Sequence, residues 1–539
     1  MKTVFLTGAT GNMGWAGFRE LYRKRDRFKI RLLARPSRKN MKLLEPYAHD
    51  PAVEIVWGDL TDYNDVCAGV SGADYVLHVG GMVSPAADYF PEKTLEVNVT
   101  AAENIVKAVL AQKNADDIKV VYIGSVAQCG DRLWPVHWGR TGDPVYASRF
   151  DRYSVSKCIA EKIITDSGIR KWVSLRQTGI LYPGILKVLS PTAFHVPIQG
   201  VLEWATVEDS GRLLANVVED WVPEDFWNRF YNISSGEQYR MTNYEFESRL
   251  LRSLGLPAPE KVFEPQWFAT RNFHGMWYTD SDLLEDYLHF RTNVPVDDYF
   301  RDMKRHLPWF WHLAFLAPSF AVKLFMKPIV HEKGMGTQWW VEHDPEKMEA
   351  YYGSIEEYRN IKSWDQMKPP CWEKNLDRAR AAGEVRELDH GYDTLKSIYS
   401  LTDDEIEEAA RFRGGHFLGV KTTGTGHASA VTGKTEADGN STEGRNVNAG
   451  LRGKESGQQT ADSGIISGHP QEEAGMTACR EQGTVYVWEC ENGHRFEASL
   501  EYVLLGGGWC TECPLDEVHK CTTDRNRFIS QVLRVQSLG

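Results

Sequence analysis

The chain has 539 residues, 42% of them hydrophobic and 25% charged, with a net charge of −12 at neutral pH. That is the composition of a soluble globular protein with room for two or three domains and a large core, and the acidic balance argues against bulk nucleic-acid binding. Nine cysteines, an odd count, and a first strand that begins at the first residues leave no place for a secretory signal and point to a reducing cytoplasm.

The first element is an apolar strand, Val4-Phe5-Leu6, that runs into Thr7-Gly8-Ala9-Thr10-Gly11-Asn12-Met13-Gly14. Glycines at this spacing divide the work of a dinucleotide-binding turn. Gly8 permits the tight turn, Gly11 lets the backbone approach a pyrophosphate, and Gly14 allows close helix–strand packing. Trp15 to Arg23 is predicted to be a helix whose N-terminus offers N–H groups and a positive dipole end to phosphates. Gly8, Thr10, Gly11, Asn12, Met13 and Gly14 are therefore expected to hold a dinucleotide. The second strand, Lys29 to Ala34, ends in Arg35-Pro36-Ser37-Arg38-Lys39, with no acid to bind ribose hydroxyls. Arg35 and Arg38 suit a 2′-phosphate, which predicts NADP, with NAD as the alternative. Asp59 and Leu60, after the third strand, are placed to meet the adenine. Asp74 to Val79 reads as a fourth, buried strand running into Gly80-Gly81.

A further apolar strand, Lys119 to Gly124, delivers Ser125, and Tyr153-Ser154-Val155-Ser156-Lys157 follows. On a helix, positions i and i+4 share a face, so Tyr153 and Lys157 point the same way. A free phenol has a pKa near 10, and a neighbouring ammonium is expected to lower it. Tyr153 can then pass a proton to or from a substrate oxygen held by Ser125.

These residues resemble the extended short-chain dehydrogenase/reductase family, the NAD-dependent epimerase/dehydratase group. Asn98-Val99-Thr100, Gly139 to Pro144, Leu175 to Pro183, Thr206 to Asp209 and Tyr231 to Ser234 extend the resemblance over about residues 1–300. It implies a Rossmann doubly wound parallel sheet with a smaller substrate lobe, and Ser125, Tyr153 and Lys157 as the catalytic set, the last two also touching the cofactor. Sugar-nucleotide dehydratases of the family carry an Asp-Glu pair where this chain has Val126-Ala127, so dehydration is not expected. Gln177 stands where the family usually has proline.

Residues 301–400 are predicted to form an aromatic-rich helical extension. Its Pro308 to Met326 stretch is the most apolar in the chain, yet too short and interrupted for a membrane span. Three readings stand: a buried helical pair, a lid over a lipophilic substrate such as a sterol, or a monotopic membrane anchor. Lys421 to Gln482, poor in aromatic residues, reads as a flexible segment.

Cys490 and His494, then Cys510 and Cys513, have the spacing of a tetrahedral zinc site. The surrounding Trp-x-Cys-x-x-x-His and Trp-Cys-x-x-Cys resemble zinc-ribbon or treble-clef modules, with Ala410 to Leu418 as the first strand. Residues 401–539 would then be a small β-rich zinc module interrupted by the flexible segment. With all four ligand positions filled and several glutamates around them, a structural role without nucleic acid is expected. The chain as a whole reads as an NAD(P)-dependent oxidoreductase acting on a small carbonyl or alcohol substrate. A redox-neutral nucleotide-sugar epimerase and a non-enzymatic cofactor-sensing scaffold are the alternatives, and homodimer formation and peripheral membrane contact stay open.

Overall fold

Seven apolar runs pair into a single parallel sheet. In chain order they are β1 (Lys2–Thr7), β2 (Phe28–Ala34), β3 (Val53–Trp57), β4 (Tyr75–His78), β5 (Lys119–Ser125), β6 (Lys171–Gln177) and β7 (Arg229–Ile233), arranged β7-β6-β5-β4-β1-β2-β3. This is a computed structural model, and it describes residues 1–187, 190–421, 480–515 and 525–536. Apart from its ends, the segment Lys421–Gln482 lies outside the described residues.

The strands are apolar along their length because both sheet faces are covered, as a parallel sheet with helical crossovers requires. Helices α1 (Asn12–Arg23) and α4 (Val207–Asn216) cover one face, while α2 (Pro91–Leu110) and α3 (Arg152–Thr165) cover the other. The strand order reverses between β1 and β4, and parallel α/β sheets leave a ligand crevice at the carboxyl ends of strands at such a point. The register places Thr7 beside His78 and Ser125 beside Gln177, so the chemistry-bearing strand ends share one edge.

The smaller lobe is built around α5 (Asn243–Leu254), with a capping box between Thr242 and Glu245 at its start and Gly255 in the left-handed conformation at its end. Its core is largely aromatic: Phe194, Phe263, Trp267 and Phe268 pack with Trp340, Tyr351 and Tyr352 from the helices that follow. The described C-terminal part holds α7 (Asp403–Phe412) and an antiparallel sheet of β8 (His416–Val420), β9 (Val485–Glu489) and β10 (Arg495–Ser499). The expected strand over Ala410–Leu418 therefore starts as the end of a helix and a turn, and only its last third is strand. Thr402 caps α7 reciprocally with Glu405, and the alternating pattern begins only at His416.

This part is packed directly onto the half that carries the parallel sheet. The buried Arg176 guanidinium donates to the Gly506 carbonyl at 2.7 Å, Val145 N–H donates to the Gly507 carbonyl at 3.0 Å, and Ser499 donates to Asp166 from both its N–H and its hydroxyl.

Candidate active site and metal-ligating cluster

The turn after β1 is closed by the Gly11 N–H donating to the Gly8 carbonyl at 3.0 Å. Gly8 has φ of +69°, and a Cβ on Gly14 would stand 2.2 Å from the Gly8 oxygen. A side chain at Gly8 would collide with the backbone of Gly80, and one at Gly14 with that of Gly8. A Cβ on Gly11 would meet nothing nearer than 3.4 Å, so that glycine is not required by the protein's own packing. Thr7 ties the turn to the neighbouring loop, its hydroxyl accepting from the N–H groups of Val79 and Gly80.

Gly8, Thr10, Gly11, Asn12, Met13 and Gly14 line a cavity of about 1570 Å³, together with Asp59, Leu60, Ser125, Tyr153 and Lys157. Arg35, Ser37 and Lys39 line it as well. Arg38 does not; it opens the short helix Arg38–Leu44 that Ser37 caps, which turns it away from its two neighbours.

Helix α3 carries Tyr153 and Lys157. Asp151 caps it by accepting from the Ser154 N–H at 3.1 Å, and Asn98 fixes it to the loop after β4 by donating to the Ser156 hydroxyl and accepting from the Met82 N–H. The Lys157 ammonium donates to the Ile123 carbonyl at 2.8 Å and lies over the Tyr122 ring. Burial lowers its pKa to about 8. Burial also pushes the Tyr153 phenol up to about 12, with the Ser125 hydroxyl acting in the opposite direction. Burial thus raises the phenol that the sequence led us to expect acidified. Each group is enclosed, so desolvation disfavours its charged form, and the ammonium donates to a backbone carbonyl.

Ser125 is held from behind. Its N–H donates to Gln128, whose amide donates to Glu161 at 2.7 Å, and Glu161 is paired with Arg176 at 2.8 Å. Glu161 and Arg176 are buried, and Arg176 reaches Gly506. A continuous chain of hydrogen bonds therefore runs from the Ser125 turn to the C-terminal part.

There, the ligand atoms of Cys490, His494, Cys510 and Cys513 all lie within 4.8 Å of one another. Cys490 and Cys513 sulfurs are 3.6 Å apart, and His494 Nδ1 is 3.6 Å from Cys510 Sγ and 3.5 Å from Cys513 Sγ. A zinc tetrahedron with bonds of about 2.3 Å to sulfur and about 2.0–2.1 Å to nitrogen has edges of roughly 3.5–3.8 Å. The cluster fits such an ion.

The glycine turn, the strand-end serine and the Tyr153–Lys157 pair are set around one crevice at the strand-order reversal. Residues 4–176 match the model of the NAD dependent epimerase/dehydratase family. UDP-glucose 4-epimerase of Rickettsia bellii (strain RML369-C) is 28% identical over 120 residues, 21% of this chain and 34% of the epimerase. The Mus musculus 3 beta-hydroxysteroid dehydrogenase type 7 is 28% identical over 142 residues, 24% of this chain and 38% of that enzyme. The chain thus spans only about a third of the length of the curated relatives it matches. Among solved structures, a double mutant of the dTDP-glucose 4,6-dehydratase DesIV from Streptomyces venezuelae, with NAD and DAU bound, has a TM-score of 0.45 and 18% identity, covering 58% of this chain and 97% of that one. UDP-glucose 4-epimerase from Bifidobacterium longum in complex with NAD+ and UDP has a TM-score of 0.43 and 17% identity, covering 56% and 97%.

Among the cavity's acids that the sequence did not single out, two are held near neutrality by burial. Asp131, after the Ser125 turn, is raised to about 7 by burial, although the Asn272 N–H donates to it. Glu247 on α5 is 6% exposed and is raised to about 7 by burial. Neither belongs to a local motif. Glu247 sits at a helix position whose neighbours, Phe246 and Leu250 to Leu251, mark a core-facing stripe, and an acid within such a stripe was the available signal.

Proposed function

We propose that the protein is an NADP-dependent oxidoreductase that transfers hydride between nicotinamide and a carbonyl or alcohol of a lipophilic small molecule. One observation carries the reading: Ser125, Tyr153 and Lys157 share a single cavity with the glycine turn, and beside acids such as Asp131 and Glu247 the rest of its wall carries many apolar side chains, among them Leu202, Leu250, Leu254, Phe263 and Trp340. The cradle closed by Gly8 and Gly14 suits a pyrophosphate, and Arg35 and Lys39 supply cations for a 2′-phosphate. The bound dinucleotide would supply the hydride.

The chain's residues would do the rest. Ser125 orients the substrate oxygen. The Tyr153 phenol, which burial pushes up to about 12, holds its proton at neutral pH and can give it to a substrate oxygen gaining charge. Lys157 has three donors and spends one on Ile123, leaving others for the ribose. Zinc held by Cys490, His494, Cys510 and Cys513 would be structural, because four protein ligands leave no open position.

A second reading, a redox-neutral nucleotide-sugar epimerase, is supported by the similarity to UDP-glucose 4-epimerase. A screen of apolar ketones and alcohols, followed by NADPH absorbance, tests the first reading. Consumption of NADPH with a lower KM than NADH is expected, and Tyr153→Phe should cut turnover by about 10²-fold or more while leaving dinucleotide affinity in place. Interconversion of UDP-sugars without net NADPH change would overturn it in favour of the epimerase.

A further inference from the structure

The most apolar segment of the chain is also one of its least covered. A 3-10 helix, Trp309–Leu316, and α6 (Ser319–Val330) meet at a bend of 117°. Trp309 is 76% exposed, Phe320 72% and Leu324 68%, and Phe310, Phe315 and Leu316 are exposed beside them. Of the two helices only Val330 is buried, so the expected buried helical pair is not formed. Apolar side chains left in water at this density mark a docking surface.

The charge around the patch indicates the occupant. Between Met303 and His331 the chain carries Lys304, Arg305, Lys323 and Lys327 and no Asp or Glu, against a net charge of −12 overall. Lys323 is paired with Glu264 and Arg305 with Asp302, while Lys327 is exposed at the end of α6. Aromatic and aliphatic side chains bordered by cations are what an anionic phospholipid interface accepts. No single helix among the described residues is long and apolar enough to cross a membrane. The sharp bend instead suits two short arms lying in the interface.

The patch is continuous with the cavity. Phe325 is 61% exposed and also lines the cavity, next to Trp311, Val322 and Met326. The inner side of the bent pair is a cavity wall and its outer side is the patch, so the cavity opens within the apolar surface.

We propose that the Trp309–Val330 pair docks the protein on an anionic phospholipid bilayer and that a lipophilic substrate enters from the lipid phase beside Phe325. The entry route rests on the lipophilic-substrate reading above; the docking does not.

Flotation of the full chain, loaded with NADPH, with phosphatidylcholine vesicles containing one-fifth phosphatidylserine tests the docking. The wild type should float, and pure phosphatidylcholine should recover much less. Trp309→Ser/Phe320→Ser/Leu324→Ser changes exposed residues outside the cavity lining and should reduce the floated fraction about ten-fold or more, with NADPH affinity unchanged as the check on folding. Lys304→Glu/Lys327→Glu should weaken flotation on the anionic vesicles only. A wild type that stays at the bottom, or a triple variant that floats equally, overturns the docking. So does a wild-type dimer that forms without lipid and dissociates in the triple variant, since a second copy would then be the occupant. If flotation fails while apolar ketones are still reduced, the proposed reaction stands without the docking. If flotation succeeds and no apolar substrate turns over, the docking stands without the entry route.

Discussion

Alanine at Gly11 and at Gly14 should separate dinucleotide binding from folding. A Cβ on Gly14 would overlap the Gly8 carbonyl oxygen at 2.2 Å, and that oxygen belongs to backbone already held by the Gly11 N–H. Overpacking of this kind costs typically about 1–3 kcal/mol, and more where backbone has to move. Gly14→Ala is therefore expected to lower Tm by several degrees. At Gly11 the nearest atom is 3.4 Å away, an ordinary contact, and the backbone at φ −84° and ψ 173° is open to alanine. Losing glycine as the cap of α1 costs up to about 1 kcal/mol, and the stiffer unfolded chain offsets about 0.4–1 kcal/mol of it. Gly11→Ala should keep its Tm. Its methyl would stand where the backbone is expected to approach a pyrophosphate. Displacing that group from two N–H donors forfeits about 1.5–3 kcal/mol for each charged hydrogen bond, or roughly 10²–10⁴-fold in Kd for the pair. Differential scanning fluorimetry and calorimetric titration with NADPH measure the two quantities. A Gly11→Ala protein that binds NADPH as tightly as wild type, or that melts as early as Gly14→Ala, would refute the reasoning.

Metal analysis should find about one zinc per chain, and chelation should lower the melting temperature of the whole protein and not of a separate C-terminal transition, because Gly506 and Gly507 are bonded to Arg176 and Val145. A metal-free protein with unchanged melting would dismiss the site as structural. Glu247 is raised from its ordinary 4.5 to about 7 in the folded chain. Between those two pH values the folded state holds a proton that the unfolded chain has lost, so stability falls as pH rises through the window, by about 3 kcal/mol in all. Glu247→Gln removes the titration. Its Tm advantage over wild type should therefore be larger at pH 8 than at pH 5, and an equal difference at both would show that Glu247 is not held neutral by burial.

The strands of the sheet and the glycine turn were legible in the sequence because their signals are local. Apolar runs such as Lys119 to Gly124 state their own burial, and the turn after β1 needs glycine for reasons that lie within a few residues. The spacing from Cys490 to Cys513 is legible for the same reason, since one knuckle brings each pair of ligands together. Long-range packing decided the rest. That Glu247 and Asp131 face the same cavity as Tyr153, that Lys157 turns to Ile123 while burial raises the phenol, and that Arg176 reaches Gly506 all depend on residues far apart in the chain. The Trp309–Val330 stretch shows the division most plainly: composition declared it apolar, but whether an apolar helix is core or surface depends on what the remaining chain places over it, and here little is placed there.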